Sequence, residues 1–148
     1  MKGHFMPRYL YALVLVAGSL LAVPATANQI VIAVTGGTPL TVPAGSFHAS
    51  QVPGFTVSLT EVTDQRCPSD VRCVWEGLIR GGLAVDAGAG AEMLILCNIC
   101  DDAQHTGIAG GYDFTLGQLY PSRAVIEALG RAPVSTDYTV VVIVQPGP

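Results

Sequence analysis

GFTVSLTEV, residues Gly54 to Val62, alternates without a break. Phe55, Val57 and Leu59 fall on one face and Thr56, Ser58 and Thr60 on the other. Period two over such a length is the mark of a strand with one face buried and one in water. Similar runs lie on either side of it. QIVIAV (Gln29–Val34), CVWEGLIRGGLAVDA (Cys73–Ala87), EMLILC (Glu92–Cys97), YDFTL (Tyr112–Leu116) and DYTVVVIV (Asp137–Val144) are rich in β-branched and aromatic residues and bounded by Gly and Pro. Gly77 and the pair Gly81–Gly82 interrupt the second of these, which predicts a bulge or a sharp bend. DAGAGAE has the composition of a tight hairpin connection, and TGGTP that of a turn. Only PSRAVIEALG (Pro121–Gly130) reads as helix, near 122–129, with Ser122 as cap, Val125, Ile126 and Leu129 on one face, and Gly130 as its end. About seven short strands and one short helix predict an all-β fold. The architecture expected is a single antiparallel β-sandwich, Ig-like in its layers. A tryptophan between two widely spaced cysteines, the Ig hallmark, is absent, so the likeness is of architecture alone.

The N-terminus carries Lys2 and Arg8, an apolar run from Tyr9 to Val23, and PATA, with Ala25 and Ala27 as small residues before a signal-peptidase cut. A membrane anchor needs about 20 apolar residues, and this run is shorter. Residues 1–27 are therefore expected to be a cleaved signal peptide, and 28–148 a disulfide-clipped β-sandwich domain. No cysteine lies near the cut, so no lipid attachment is expected there. The mature chain has 121 residues (148 − 27), which suits one domain burying roughly two-thirds of its unfolded surface. It contains no lysine, five arginines and all eleven acidic residues, for a net charge of 5 − 11 = −6. Such a surface repels nucleic acid and anionic membrane, both of which call for clustered Lys and Arg. No membrane span remains after cleavage.

The four cysteines, all in the exported part, allow three pairings. Chain entropy favours long links: about 4 kcal/mol for Cys67–Cys100 against about 2 kcal/mol for Cys67–Cys73. Geometry favours local ones, because bridged Cα atoms must lie within about 7 Å. Pro68, Ser69 and Asp70 can fold CPSDVRC back on itself, and Asn98 and Ile99 can be the centre of a β-turn joining Cys97 to Cys100. Two local bridges are the expected pairing, with the crossed pairings as alternatives. CNIC also has Cys-X-X-Cys redox spacing. The acidic, glycine-rich DDAQHTGIAGG that follows is not a helix start, however, and Asp101 and Asp102 would raise a neighbouring thiol pKa. An alternative zinc or copper set is Cys97, Cys100 and His105, with Asp101 or Asp102 nearby; Cys67 and Cys73 can complete a four-sulfur site. His48 and His105 are the only mature histidines and sit in no nucleophile motif. Asp64, Asp70 and Glu76 surround the first pair of cysteines and are expected to pair with Arg66 and Arg72 on an exposed surface.

The stretch DQRCPSDVRCVWEG, Asp64 to Gly77, resembles a pattern in small exported or lipoprotein-type bacterial proteins that carry no agreed activity. That pattern, Asp-x-Arg-Cys-Pro, a spacer, then Cys-x-Trp-x-Gly, falls here on Asp64, Arg66, Cys67, Pro68, Cys73, Trp75 and Gly77. LCNICDD is an addition to it, as a second self-contained bridge would be. The resemblance transfers no catalytic residue. If Cys73, Trp75 and Gly77 share one face of a strand, Trp75 lies beside the bridge and covers one mouth of the sandwich. The stretch then clips a loop onto the core, and Trp75→Ala costs about 3–5 kcal/mol. The alternative is a presented loop, with Ser69, Asp70 and Val71 exposed on a short disulfide ring as in some protease inhibitors. The function expected is thus non-catalytic, structural or in binding, without a cofactor, toward an unidentified protein or small ligand.

Overall fold

The computed structural model describes residues 28–47, 53–101 and 104–148. Eight strands form two antiparallel four-stranded sheets packed face to face, the expected all-β sandwich. The strands are β1 (Ile30–Thr35), β2 (Leu40–Val42), β3 (Phe55–Arg66), β4 (Gly77–Asp86), β5 (Ala91–Cys97), β6 (Thr106–Ala109), β7 (Tyr112–Tyr120) and β8 (Thr139–Pro146). One sheet runs β1-β8-β7-β6 and the other β2-β3-β4-β5. Within these layers the connections are simpler than an immunoglobulin Greek key. Each sheet is a meander, the chain changes sheet after β1 and after β5, and β8 returns to pair with β1. β2 and β6, three and four residues long, are too short to show a period in the sequence.

The alternation of β3 is used as expected. Phe55, Val57 and Leu59 point inward at 3%, 0% and 3% exposure and face Leu83 and Val85 of β4 and Phe114, Val142 and Val144 of the other sheet in one core. Phe55, Phe114 and Tyr112 meet ring to ring at 4.6–5.6 Å, and Tyr112 donates its hydroxyl hydrogen to the Pro53 carbonyl. In the DAGAGAE hairpin the Asp86 carboxylate accepts from the N–H groups of Gly88 and Gly90, both at positive φ.

The bulge predicted at Gly81–Gly82 lies on the partner strand. Leu59 pairs with Leu83 and Glu61 with Gly82, so Thr60 is the extra residue and donates to the Gly82 carbonyl at 3.0 Å. A Cβ on Gly82 would lie 2.6 Å from the Glu61 side chain, which is why the bulge needs glycine opposite it. One inserted residue reverses which side chains face inward. Before the bulge the odd-numbered residues are buried; beyond it Val62, Asp64 and Arg66 turn toward the interior while Glu61, Thr63 and Gln65 are exposed.

Two local expectations are corrected. β4 begins only at Gly77, because Gly77 adopts φ +87° and its α carbon presses on β3, where an added Cβ would meet the Gln65 carbonyl at 2.4 Å. The helix, α1 (Arg123–Glu127), has one turn and so aims one apolar side chain at the core. Ile126 is buried, Val125 and Leu129 are exposed, and Ser122 sits at the cap position without a side-chain hydrogen bond. Gly130, at φ +66°, follows its end. Among the described residues no helix is long and apolar enough to cross a membrane. The expected signal peptide, residues 1–27, lies outside the described residues, as do His48 and Asp102.

Candidate functional site

The bulge in β3 delivers Asp64 to the open end of the sandwich with its side chain 2% exposed, and Arg66 beside it at 16%. The two form a bidentate pair: Arg66 Nε donates to Asp64 Oδ1 and Nη2 to Oδ2, both at 2.8 Å. The remaining guanidinium hydrogens close the end of β7, Nη1 donating to the Leu119 carbonyl at 2.9 Å and Nη2 to the Pro121 carbonyl at 2.8 Å. Arg123 of α1 donates to the Asp64 carbonyl at 2.8 Å, and Tyr138 is buried. Burial pushes the Asp64 carboxyl up, but hydrogen bonds from the Arg66 side chain and backbone, with the charges of Arg66 and Arg123, outweigh it and hold the group below its ordinary value. Burial, aided by the Asp64 charge, raises Tyr138. The pairing of Asp64 with Arg66 was expected on an exposed surface; it is instead the polar floor of this end of the molecule.

The loop between β3 and β4 is tied down at four points. Cys67 and Cys73 are bridged, with Cα atoms 5.8 Å apart. Pro68 begins a turn in which the Val71 N–H donates to the Pro68 carbonyl. Ser69 donates from both its N–H (3.3 Å) and its hydroxyl (2.6 Å) to Glu127 of α1, whose carboxylate also accepts from Arg123 Nε at 3.0 Å. The Ser69 hydroxyl, then Arg123, hold Glu127 below the usual carboxylate range. Gly77 anchors the far end against β3.

Between these anchors the loop stands out in solvent. Trp75 is 52% exposed in a bend at 74–75, and not over the mouth of the sandwich as expected. The correction has a plain cause: the positive φ of Gly77 ends the alternation on which the inward placement of Trp75 depended, and Asp64, Arg66 and Tyr138 already fill that mouth. Val71 is 54% exposed, Val74 is fully exposed, and Ser69, Asp70, Arg72 and Glu76 are exposed as well. Arg72 makes no hydrogen bond or ion pair within the described residues, in contrast to Arg66, Arg123 and Arg131, so its expected pairing with a loop carboxylate is not formed.

The second bridge joins Cys97 to Cys100, Cα atoms 5.6 Å apart, and leaves no free cysteine among the described residues. With both sulfurs in a bridge, the alternative metal set of Cys97, Cys100 and His105 has no thiolate, and the four-sulfur site with Cys67 and Cys73 is not assembled. The ring has a structural use instead. Asn98 extends the ladder past the end of β5, its Oδ1 accepting from the Ile79 N–H at 2.8 Å, its Nδ2 donating to the Gly77 carbonyl at 2.9 Å and its own N–H to the Ile79 carbonyl at 3.1 Å. Two open grooves flank the loop's base. One, of about 550 Å³, runs between Thr63, Gln65, Leu78 and the 97–100 ring; the other, of about 410 Å³, lies between Ile79 and the end of β7 over Arg66.

Arg123 and Glu127 were not expected at this site, and Ser69 and Asn98 were expected only as turn or loop residues, without their partners. The spacing of Arg123 and Glu127, four apart on the helix, was the one local signal for any of them. The two disulfides point to a location outside the cytoplasm, where oxidised cysteines persist. Compared with family models, curated proteins and solved structures, the chain finds no match.

Proposed function

We propose that this is an exported, periplasmic or extracellular, non-catalytic binding protein that presents the loop from Ser69 to Glu76 to a protein partner. We further propose that it belongs with the small exported bacterial proteins whose motif Asp64–Gly77 resembles. One observation carries the reading: Trp75 is the motif residue without a structural task. Asp64 and Arg66 floor the end of the sandwich, Pro68 begins the turn, Cys67 and Cys73 close the ring, and Gly77 permits the close approach of two strands. A clip on the core accounts for all of these and leaves Trp75 and Val74 in water. A tryptophan held out on a rigid support is a usual anchor of a protein interface, and rigidity lowers the entropy lost on binding.

A photo-reactive residue placed at Val74 tests it. In the host's envelope it should give a discrete protein adduct. The same residue at Val31, 68% exposed on the outer face of β1, should give none. Equal labelling at both sites, or no adduct at Val74, would sink the reading.

A further inference from the structure

We infer that the ridge from Asp70 to Trp75 is an inhibitory segment for serine proteases of trypsin-like specificity, with Arg72 entering the protease's specificity pocket. The inference rests on the presented-loop reading and names its partner. Arg72 is an exposed arginine with no carboxylate partner within the described residues, whereas Arg66, Arg123 and Arg131 are each held by an acid of their own chain. It stands on a chain whose mature net charge is −6, so a cation at the tip of this loop is a local feature and not part of a basic surface. A trypsin-like pocket ends in a buried aspartate and takes an arginine on an exposed, narrow segment. The neighbours fit the same docking: Val71 on one side of Arg72, and Val74 and Trp75 on the other, are all more than half exposed. Residues 72 and 73 lie outside regular structure.

Presentation separates an inhibitor from a substrate. The bond a trypsin-like enzyme would cut, Arg72–Cys73, lies within the ring closed by Cys67–Cys73. Hydrolysis would put hydroxide on the Arg72 carbonyl carbon and a proton on the Cys73 nitrogen. The disulfide, the Val71–Pro68 turn and the Ser69–Glu127 bonds would still hold the two new ends together. The ends cannot diffuse apart, so the cleaved form stays on the enzyme and the bond can close again. The same anchors fix the loop before docking, which reduces what binding must order.

The test is residual trypsin activity on a small amide substrate, titrated with the chain carrying both bridges. One equivalent should abolish activity. Arg72→Ala should weaken inhibition by roughly a hundredfold or more, as loss of a central anchor does. Arg72→Phe should transfer inhibition to chymotrypsin, whose pocket is apolar, a gain that a misfolded variant cannot produce. The inference is overturned if trypsin is unaffected, if it cuts Arg72–Cys73 with undiminished turnover, or if Arg72→Ala inhibits equally well. Co-sedimentation with phosphatidylglycerol vesicles without inhibition would assign the ridge to an anionic surface instead. An adduct at Val74 without protease inhibition removes this inference and keeps the presented loop; no adduct and no inhibition removes both.

Discussion

An aspartate that is 2% exposed and an aromatic that is 52% exposed give opposite expectations when each is cut to alanine. Asp64→Ala leaves the Arg66 guanidinium at this end of the sandwich without its counter-ion, and breaking a buried pair in this way costs about 3–5 kcal/mol. Trp75→Ala removes side-chain area that is already half in water and should cost about 1 kcal/mol or less. Urea unfolding of the two variants, compared at equal slope, checks the contrast. A Trp75→Ala chain as unstable as Asp64→Ala would mean that the loop folds back over the core in solution.

At the scale of elements, the decisive event is one inserted residue. Had the alternation of β3 run unbroken through Thr60, it would have carried Thr63 and Gln65 inward and left Asp64 and Arg66 in solvent; with the bulge, two charged residues become the polar floor on which the loop and α1 are built. Gly81–Gly82 announced an irregularity here, but which strand takes the extra residue depends on what packs opposite, where the Glu61 side chain occupies the space of a Gly82 Cβ. The join between the loop and α1 is made of carboxylates and should respond to acid. Asp64 and Glu127 titrate lower in the folded chain than their ordinary values, and Asp137, bonded to Arg131 and the Val134 N–H, falls to about 2. A depressed folded value means that the contribution is complete above the unfolded range, around pH 4, and is lost as pH falls through the folded values. Melting temperature should therefore hold level from pH 7 to about pH 5 and drop between about pH 4 and pH 2. Glu127→Gln, which weakens the hold on Ser69, should speed amide exchange at Ser69 and Val71 at neutral pH. A melting temperature that rises on acidification would contradict the assignment of these groups.

For the molecule as a whole, the proposed export and the two bridges are tested together. N-terminal sequencing of the protein from its host should begin at Asn28, and a thiol assay on the unreduced, urea-unfolded chain should find no free sulfhydryl. A product that keeps Met1 in the membrane would overturn the export, and one with four free thiols the bridges. Features that depend only on neighbours along the chain were legible in the sequence. The strand faces of Phe55–Leu59 and the Asp86 hairpin follow from side-chain period and backbone freedom, and the two local bridges are the pairing that the turn residues between the cysteines favoured. The remaining features join residues distant in sequence. Arg66 reaches the carbonyls of Leu119 and Pro121, Ser69 finds Glu127, Asn98 completes a ladder with Gly77 and Ile79, and Trp75 stays in water because the place expected for it was filled by Asp64, Arg66 and Tyr138. Such contacts are set by which strand ends the two sheets bring together, and no local period records that.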